Sequence, residues 1–112
     1  FTVKDGALSA PLNGAQSAAV YRAVQEALTN AMRHGSERAA EVAFESPGGG
    51  SVFRFEVVNR YRGGAAAVTE GFGLRSMRER VENTGGSLEA AAEHGRFIVR
   101  GTFPLKRKGA EE

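Results

Sequence analysis

From Val52 to Val58 the chain alternates. Phe53, Phe55 and Val57 fall on one face and Arg54 and Glu56 on the other, the period-two pattern of a strand buried on one side. Glu41 to Glu45 alternates too, with Val42 and Phe44 on the apolar face. The run Ser46-Pro47-Gly48-Gly49-Gly50-Ser51 separates the two segments, so together they predict a hairpin. Ser87 to Ala91 and Arg96 to Leu105 predict a second hairpin around a His94-Gly95 turn, with Phe97, Val99, Phe103 and Leu105 facing inward. Phe1 to Lys4 is a short β-prone opening closed by Asp5-Gly6, and it starts abruptly, as an excised domain would.

Elsewhere the apolar period lengthens to that of a helix. Between about residues 15 and 33, Val20, Val24, Ala27, Leu28 and Ala31 form one stripe on a helical wheel. Asn13 followed by Gln16 predicts a capping box at its start, with Ser17 as a rival cap. Gly35 stands where a left-handed C-terminal cap is wanted. Leu74, Met77 and Val81 mark a second helix, which Asn83-Thr84-Gly85-Gly86 stops. Residues 60–72 show no period and are rich in small side chains, which predicts a mobile loop able to close over a ligand.

Length and composition narrow the picture. With 112 residues, the chain is sized for one domain and one core. No apolar run approaches the about 20 residues of a membrane span, and no signal-peptide pattern is present. Cysteine is absent, so disulfides and thiolate metal sites are excluded. The net charge of +2 comes from basic residues scattered among acidic ones, which gives little reason to expect nucleic-acid binding.

Three places carry candidate chemistry. Glu26 and Asn30 stack on adjacent turns at the flank of the apolar stripe, with Arg33 and His34 beside them. A carboxylate and an amide so placed suit Mg²⁺, which is held by few protein oxygens and by substrate phosphates. The same spacing also describes a solvated helix edge. Asn59 continues the inward parity of Phe53, Phe55 and Val57, so an amide arrives at the end of a strand on the helix side, either to cap a loop or to floor a pocket. Gly71 and Gly73 precede the second helix, whose free N–H groups and dipole favour phosphate.

In this order the motifs resemble the ATP-binding catalytic domain of bacterial sensor histidine kinases, within the superfamily of gyrase-, Hsp90- and MutL-like ATPases. Val24-Gln25-Glu26-Ala27-Leu28-Thr29-Asn30-Ala31-Met32-Arg33-His34 looks like the family's asparagine box. Gly71-Phe72-Gly73-Leu74-Arg75-Ser76-Met77-Arg78-Glu79-Arg80-Val81, followed by Gly85-Gly86, looks like its second glycine box. Both are worded like the subfamily whose response regulators carry helix-turn-helix output domains.

The resemblance implies an α/β two-layer sandwich of the Bergerat type. Its sheet is mixed, mostly antiparallel, and covered on one face by helices. Residues 1–105 would form the catalytic domain and residues 106–112 a polar tail. The implied ligands are ATP and Mg²⁺. Asn30 would ligate the metal, and Glu26 would hold its water or act as a base. Arg33 and His34 would approach the phosphates, and Asn59, Gly63, Gly71, Phe72, Gly73 and Leu74 would complete the nucleotide site. Arg60 and Arg62 read as exposed loop residues that could reach phosphate.

The family pattern for the first glycine box is Asp-x-Gly-x-Gly, where this chain has Asn59-Arg60-Tyr61-Arg62-Gly63. Asn keeps a carbonyl oxygen to accept from the adenine amino group, whereas Tyr61 replaces a conformationally free glycine. Neither His34 nor His94 lies in a phosphoacceptor helix. A separate dimerisation domain would therefore supply the acceptor histidine, a response regulator would take the phosphoryl group, and the longer kinase would be a homodimer with this domain cytoplasmic, any membrane anchor lying in segments outside this sequence. Two alternatives belong to the same fold: a degenerate interaction module with weak nucleotide binding, and a serine kinase like the anti-sigma factors.

Overall fold

The computed structural model describes residues 2–5, 12–37, 39–46, 51–63 and 73–105. Five strands form one sheet: β1 (Thr2–Asp5), β2 (Glu41–Glu45), β3 (Val52–Arg60), β4 (Ser87–Glu93) and β5 (Arg96–Pro104). Two helices join them, α1 (Gly14–His34) between β1 and β2, and α2 (Leu74–Glu82) between β3 and β4. The strand order is β1-β2-β3-β5-β4. β1 runs parallel to β2 across the α1 connection, and the remaining pairs are antiparallel. The mixed, mostly antiparallel sheet and its two helices are the expected two-layer fold.

Alternation along β3 sets the inner face. Phe53, Phe55, Val57 and Asn59 are buried while the residues between them are half-exposed. Register brings Phe53 opposite Phe103, Val57 opposite Val99 and Asn59 opposite Phe97, so β5 presents its own buried set to the same side. On the other face Arg100 donates through Nε to Glu56 Oε2 at 2.8 Å. That hydrogen bond, with the attraction of Glu56, raises the Arg100 pKa above its ordinary value, so its charge does not change over any working pH range.

α1 reaches this aromatic floor with small side chains. Ala19, Ala23, Ala27 and Ala31 recur every four residues and are at most 2% exposed. Val24 and Leu28, expected on the buried stripe, are only partly buried and lie at its edge. Short alanines let the helix axis settle close to the sheet, and the dispersion contacts come mainly from the phenylalanines beneath. α2 adds Leu74, Met77 and Val81 to the same core.

Both ends of α1 are informative. Asn13 accepts from Gln16 N at 2.8 Å and Gln16 Oε1 accepts from Asn13 N at 3.1 Å, so the capping box forms and Ser17 is not the cap. Gln16 also donates to Thr84 O at 3.3 Å, tying the start of α1 to the end of α2. At the other end Gly35 is not left-handed. Its φ of −69° and ψ of 153° are extended, and the chain leaves α1 straight toward β3, where Ser36 N donates to Arg60 O at 3.0 Å. Glycine is needed there for space: a Cβ would sit 2.5 Å from Ala31 O and 2.8 Å from Asn59 Nδ2.

The expected loop over residues 60–72 begins later than predicted, because β3 runs through Arg60; residues 64–72 lie outside the described residues. The polar tail from residue 106 also lies outside them.

Removing the capping side chain should cost about 1 kcal/mol. Asn13→Ala is expected to lower the midpoint of urea unfolding, with Asn13→Ser staying near wild type. Equal midpoints for all three would show that the box contributes nothing.

Candidate functional site

Glu26, Asn30, Arg33 and His34 follow one another at helical spacing along one side of α1 and line one cleft of about 450 Å³. Asn30 does not lie on the flank as its position on the wheel predicts. It is 7% exposed, because Ala27 and Ala31 hold the helix so close to the sheet that the next side chain around is covered as well. Glu26 is partly exposed, and Arg33 and His34 are open to solvent in the last turn, where the helix dipole favours positive charge.

The opposite wall comes from α2. Gly73, its N-cap, has a φ of +65° and lines the cleft, and among the described residues no side chain caps the helix. What comes close is the Glu26 carboxylate: a Cβ built on Gly73 would stand 2.7 Å from Glu26 Oε2. Leu74 is buried and anchors the helix from below together with Met77 and Val81. Gly71 and Phe72 lie outside the described residues.

Among the described residues, three arginines, Arg22, Arg33 and Arg80, and one carboxylate, Glu26, line this cleft. The excess of positive charge and the uncapped helix N-terminus both favour a polyanion. Sequence reasoning did not single out Arg22 or Arg80. Arg22 lies four residues before Glu26 and shares its face, a spacing visible in the sequence. Arg80 is seven residues from Gly73, two turns along the same side of α2.

Asn59 and Gly63 are not part of this cleft. Asn59 is 5% exposed, donates through Nδ2 to Arg60 O at 2.9 Å, and lines a second cavity of about 500 Å³ shared with Ala40, Glu37, His94 and Arg96. Tyr61, 6% exposed, tilts against Phe97 with ring centroids 5.5 Å apart, and its hydroxyl folds over Gly63. Arg60 lies 3.7 Å from Glu37 at the surface and faces the second cavity, and Arg62 is exposed.

Among the described residues no cluster of three or more histidine or acidic side chains is placed to hold a metal. One amide and one carboxylate beside an anion-attracting wall do fit Mg²⁺, which keeps waters and takes further ligands from phosphates.

No family model matches the chain. The sensor histidine kinase YxjM of Bacillus subtilis is 36% identical over 97 residues, covering 86% of this chain and 23% of that protein. The blue-light activated histidine kinase EL346 of Erythrobacter litoralis superposes with a TM-score of 0.72 at 26% identity, over 93% of this chain and 35% of that one. The chain belongs to the catalytic domains of sensor histidine kinases. The histidine kinase domain of the E. coli osmosensor EnvZ, at 20% identity, shares the fold of this catalytic domain with a TM-score of 0.70 over 99% of the chain and 78% of its own. The catalytic domain spans about a quarter of YxjM's length.

In this kinase domain Gly73 meets two demands, a left-handed backbone and the nearness of Glu26. Gly73→Ala should lose about 1–2 kcal/mol from the left-handed conformation. Gly14→Ala, with nothing within 4 Å of its Cβ, should be neutral or slightly stabilising. Urea midpoints of the two variants check this. A Gly73→Ala midpoint equal to wild type would mean that the turn into α2 is not constrained as described.

Proposed function

We propose that residues 1–105 bind ATP with Mg²⁺ in the cleft between α1 and α2 and present the γ-phosphate to a histidine on a dimerisation domain outside this chain. A response regulator then takes the phosphoryl group, one with a helix-turn-helix output domain on the motif resemblance. The observation that carries the reading is the convergence of Glu26, Asn30, Arg33 and His34 on a cleft closed by Gly73 at the start of α2. Family membership supports the activity, and YxjM is itself a sensor histidine kinase.

Each residue has a task in this reading. Asn30 and Glu26 supply the oxygens that hold Mg²⁺ or its water. Arg33 and His34 draw the phosphate chain along α1 and offset its charge. N–H groups at the start of α2 receive phosphate oxygens. Bound Mg²⁺ neutralises charge on the phosphate oxygens, and the protein contributes chiefly position and fixed dipoles. Asn59, which the resemblance makes the acceptor for the adenine amino group, lines the second cavity beside this cleft, and Leu74 anchors the start of α2 from within the core.

One observation favours a second reading. Tyr61 is buried where the family keeps a glycine, and Asn59 lines a cavity separate from that of Asn30. A domain that kept the fold for protein contacts and bound nucleotide weakly would look like this too. The relatives found are histidine kinases, which favours the kinase over a free-standing serine kinase.

Asn30 separates these readings. Titration with a fluorescent ATP analogue should show binding that Mg²⁺ strengthens in the wild type, and Asn30→Ala should abolish the Mg²⁺-dependent part. Because Asn30 is buried, its variant is first checked for a cooperative melt. Identical Mg²⁺ dependence in the two proteins would remove Asn30 from the metal site, and no binding by the wild type would favour the interaction module.

A further inference from the structure

Arg80 is a part of the cleft that neither the family motif's roles nor the fold explains. Its side chain is 32% exposed, yet its Nη1 is buried and is the buried side-chain nitrogen or oxygen left without a hydrogen-bond partner among the described residues. Such an atom carries a desolvation cost that demands a reason. Among the described residues its ion-pair partner is Glu26 Oε1 at 3.6 Å, too long for a hydrogen bond.

Geometry explains how the pair arises. Side chains on a helix lean toward its N-terminus, so Arg80 reaches back along α2 toward Gly73. Glu26 crosses from α1 and puts its other oxygen, Oε2, against Gly73. The carboxylate is thus held between the start of α2 and a guanidinium two turns further on. Arg78 and Glu79, the residues beside Arg80, do not compete: Arg78 donates to Leu88 O at 3.3 Å and Glu79 pairs with Arg75 at 3.5 Å.

We propose that Arg80 is the positioning residue for Glu26: it holds the carboxylate at the phosphate end of the cleft, facing the space that Asn30 also lines. This rests on the ATP-binding reading above. A glutamate on a helix edge has several rotamers and costs side-chain entropy to fix. A partly buried guanidinium on the neighbouring helix confines it before the ligand arrives. An ion pair that only joined α1 to α2 would serve stability and have no need to sit in the cleft.

The test uses the kinase that carries this domain and measures autophosphorylation against Mg·ATP concentration. Arg80→Gln should lower kcat about 10- to 100-fold, the usual loss when the partner that orients a site ligand is removed, with KM for ATP staying within about twofold if the loss is confined to the transition state. Arg80→Lys keeps the charge without the planar fork and should recover most of the rate, with a residual loss of about three- to tenfold. Because Arg80 acts through Glu26, the effect of either Arg80 variant should vanish in a Glu26→Gln background. If Arg80→Gln melts below the assay temperature, Arg80→Lys carries the same cycle. Losses that multiply in the double variant, or an Arg80→Gln kcat equal to wild type, overturn the proposal. A wild type that takes up no Mg·ATP overturns the ATP-binding reading beneath it, and is seen separately because it is a binding measurement on the unsubstituted protein.

Discussion

The close approach of α1 to the sheet is the constraint on which the rest depends. Ala23, Ala27 and Ala31 are nearly inaccessible and share one core cluster with Phe53, Phe55 and Phe103. A leucine at any of those alanines would lift the helix and move everything it carries. The short contact also buries Asn30, since a helix this deep covers the residue beside its stripe. Glu26, one turn earlier on the same side, is then brought within reach of α2. A stability feature, small residues against large rings, therefore sets the geometry of the cleft.

Most of the fold was legible because local periods agreed with the global arrangement. The alternation from Phe53 to Val57 named the buried face of β3, and extending it by two residues put Asn59 inside, where it lies. The Asn13–Gln16 box marked the start of α1. Gly35 shows where local rules stop. Its position predicted a left-handed cap, but Ser36 must reach Arg60 O, and that long-range bond selects an extended path. The wheel also put Asn30 at the edge, since amphipathic patterns record polarity and not how closely a helix seats on its sheet.

The site was legible in part for the same reason. Glu26, Asn30, Arg33 and His34 share a helix, so their spacing alone gathers them. Asn59 and Gly63 are joined to that group only through tertiary packing, and burial of Tyr61 against Phe97 leaves them apart from the cleft. The pairing of Arg80 with Glu26 links two helices distant in sequence, and no local pattern announces it. The charge balance of the cleft follows from these placements: net positive among the described residues of its walls, with the Glu26 carboxylate held against α2, a surface suited to a phosphate chain whose charge a metal also shares.

The central claim is that this cleft binds nucleotide with Mg²⁺. Thermal unfolding of the chain with and without ATP, each with and without Mg²⁺, tests it most directly. Ligand at 100 times its dissociation constant should add roughly 2.7 kcal/mol. Each kcal/mol is worth about 4–8 °C in a domain of 60–100 residues, and slightly less in one a little larger. The account predicts a rise of several degrees with ATP that grows when Mg²⁺ is added. An unchanged melting temperature at millimolar ATP and Mg²⁺ would contradict it.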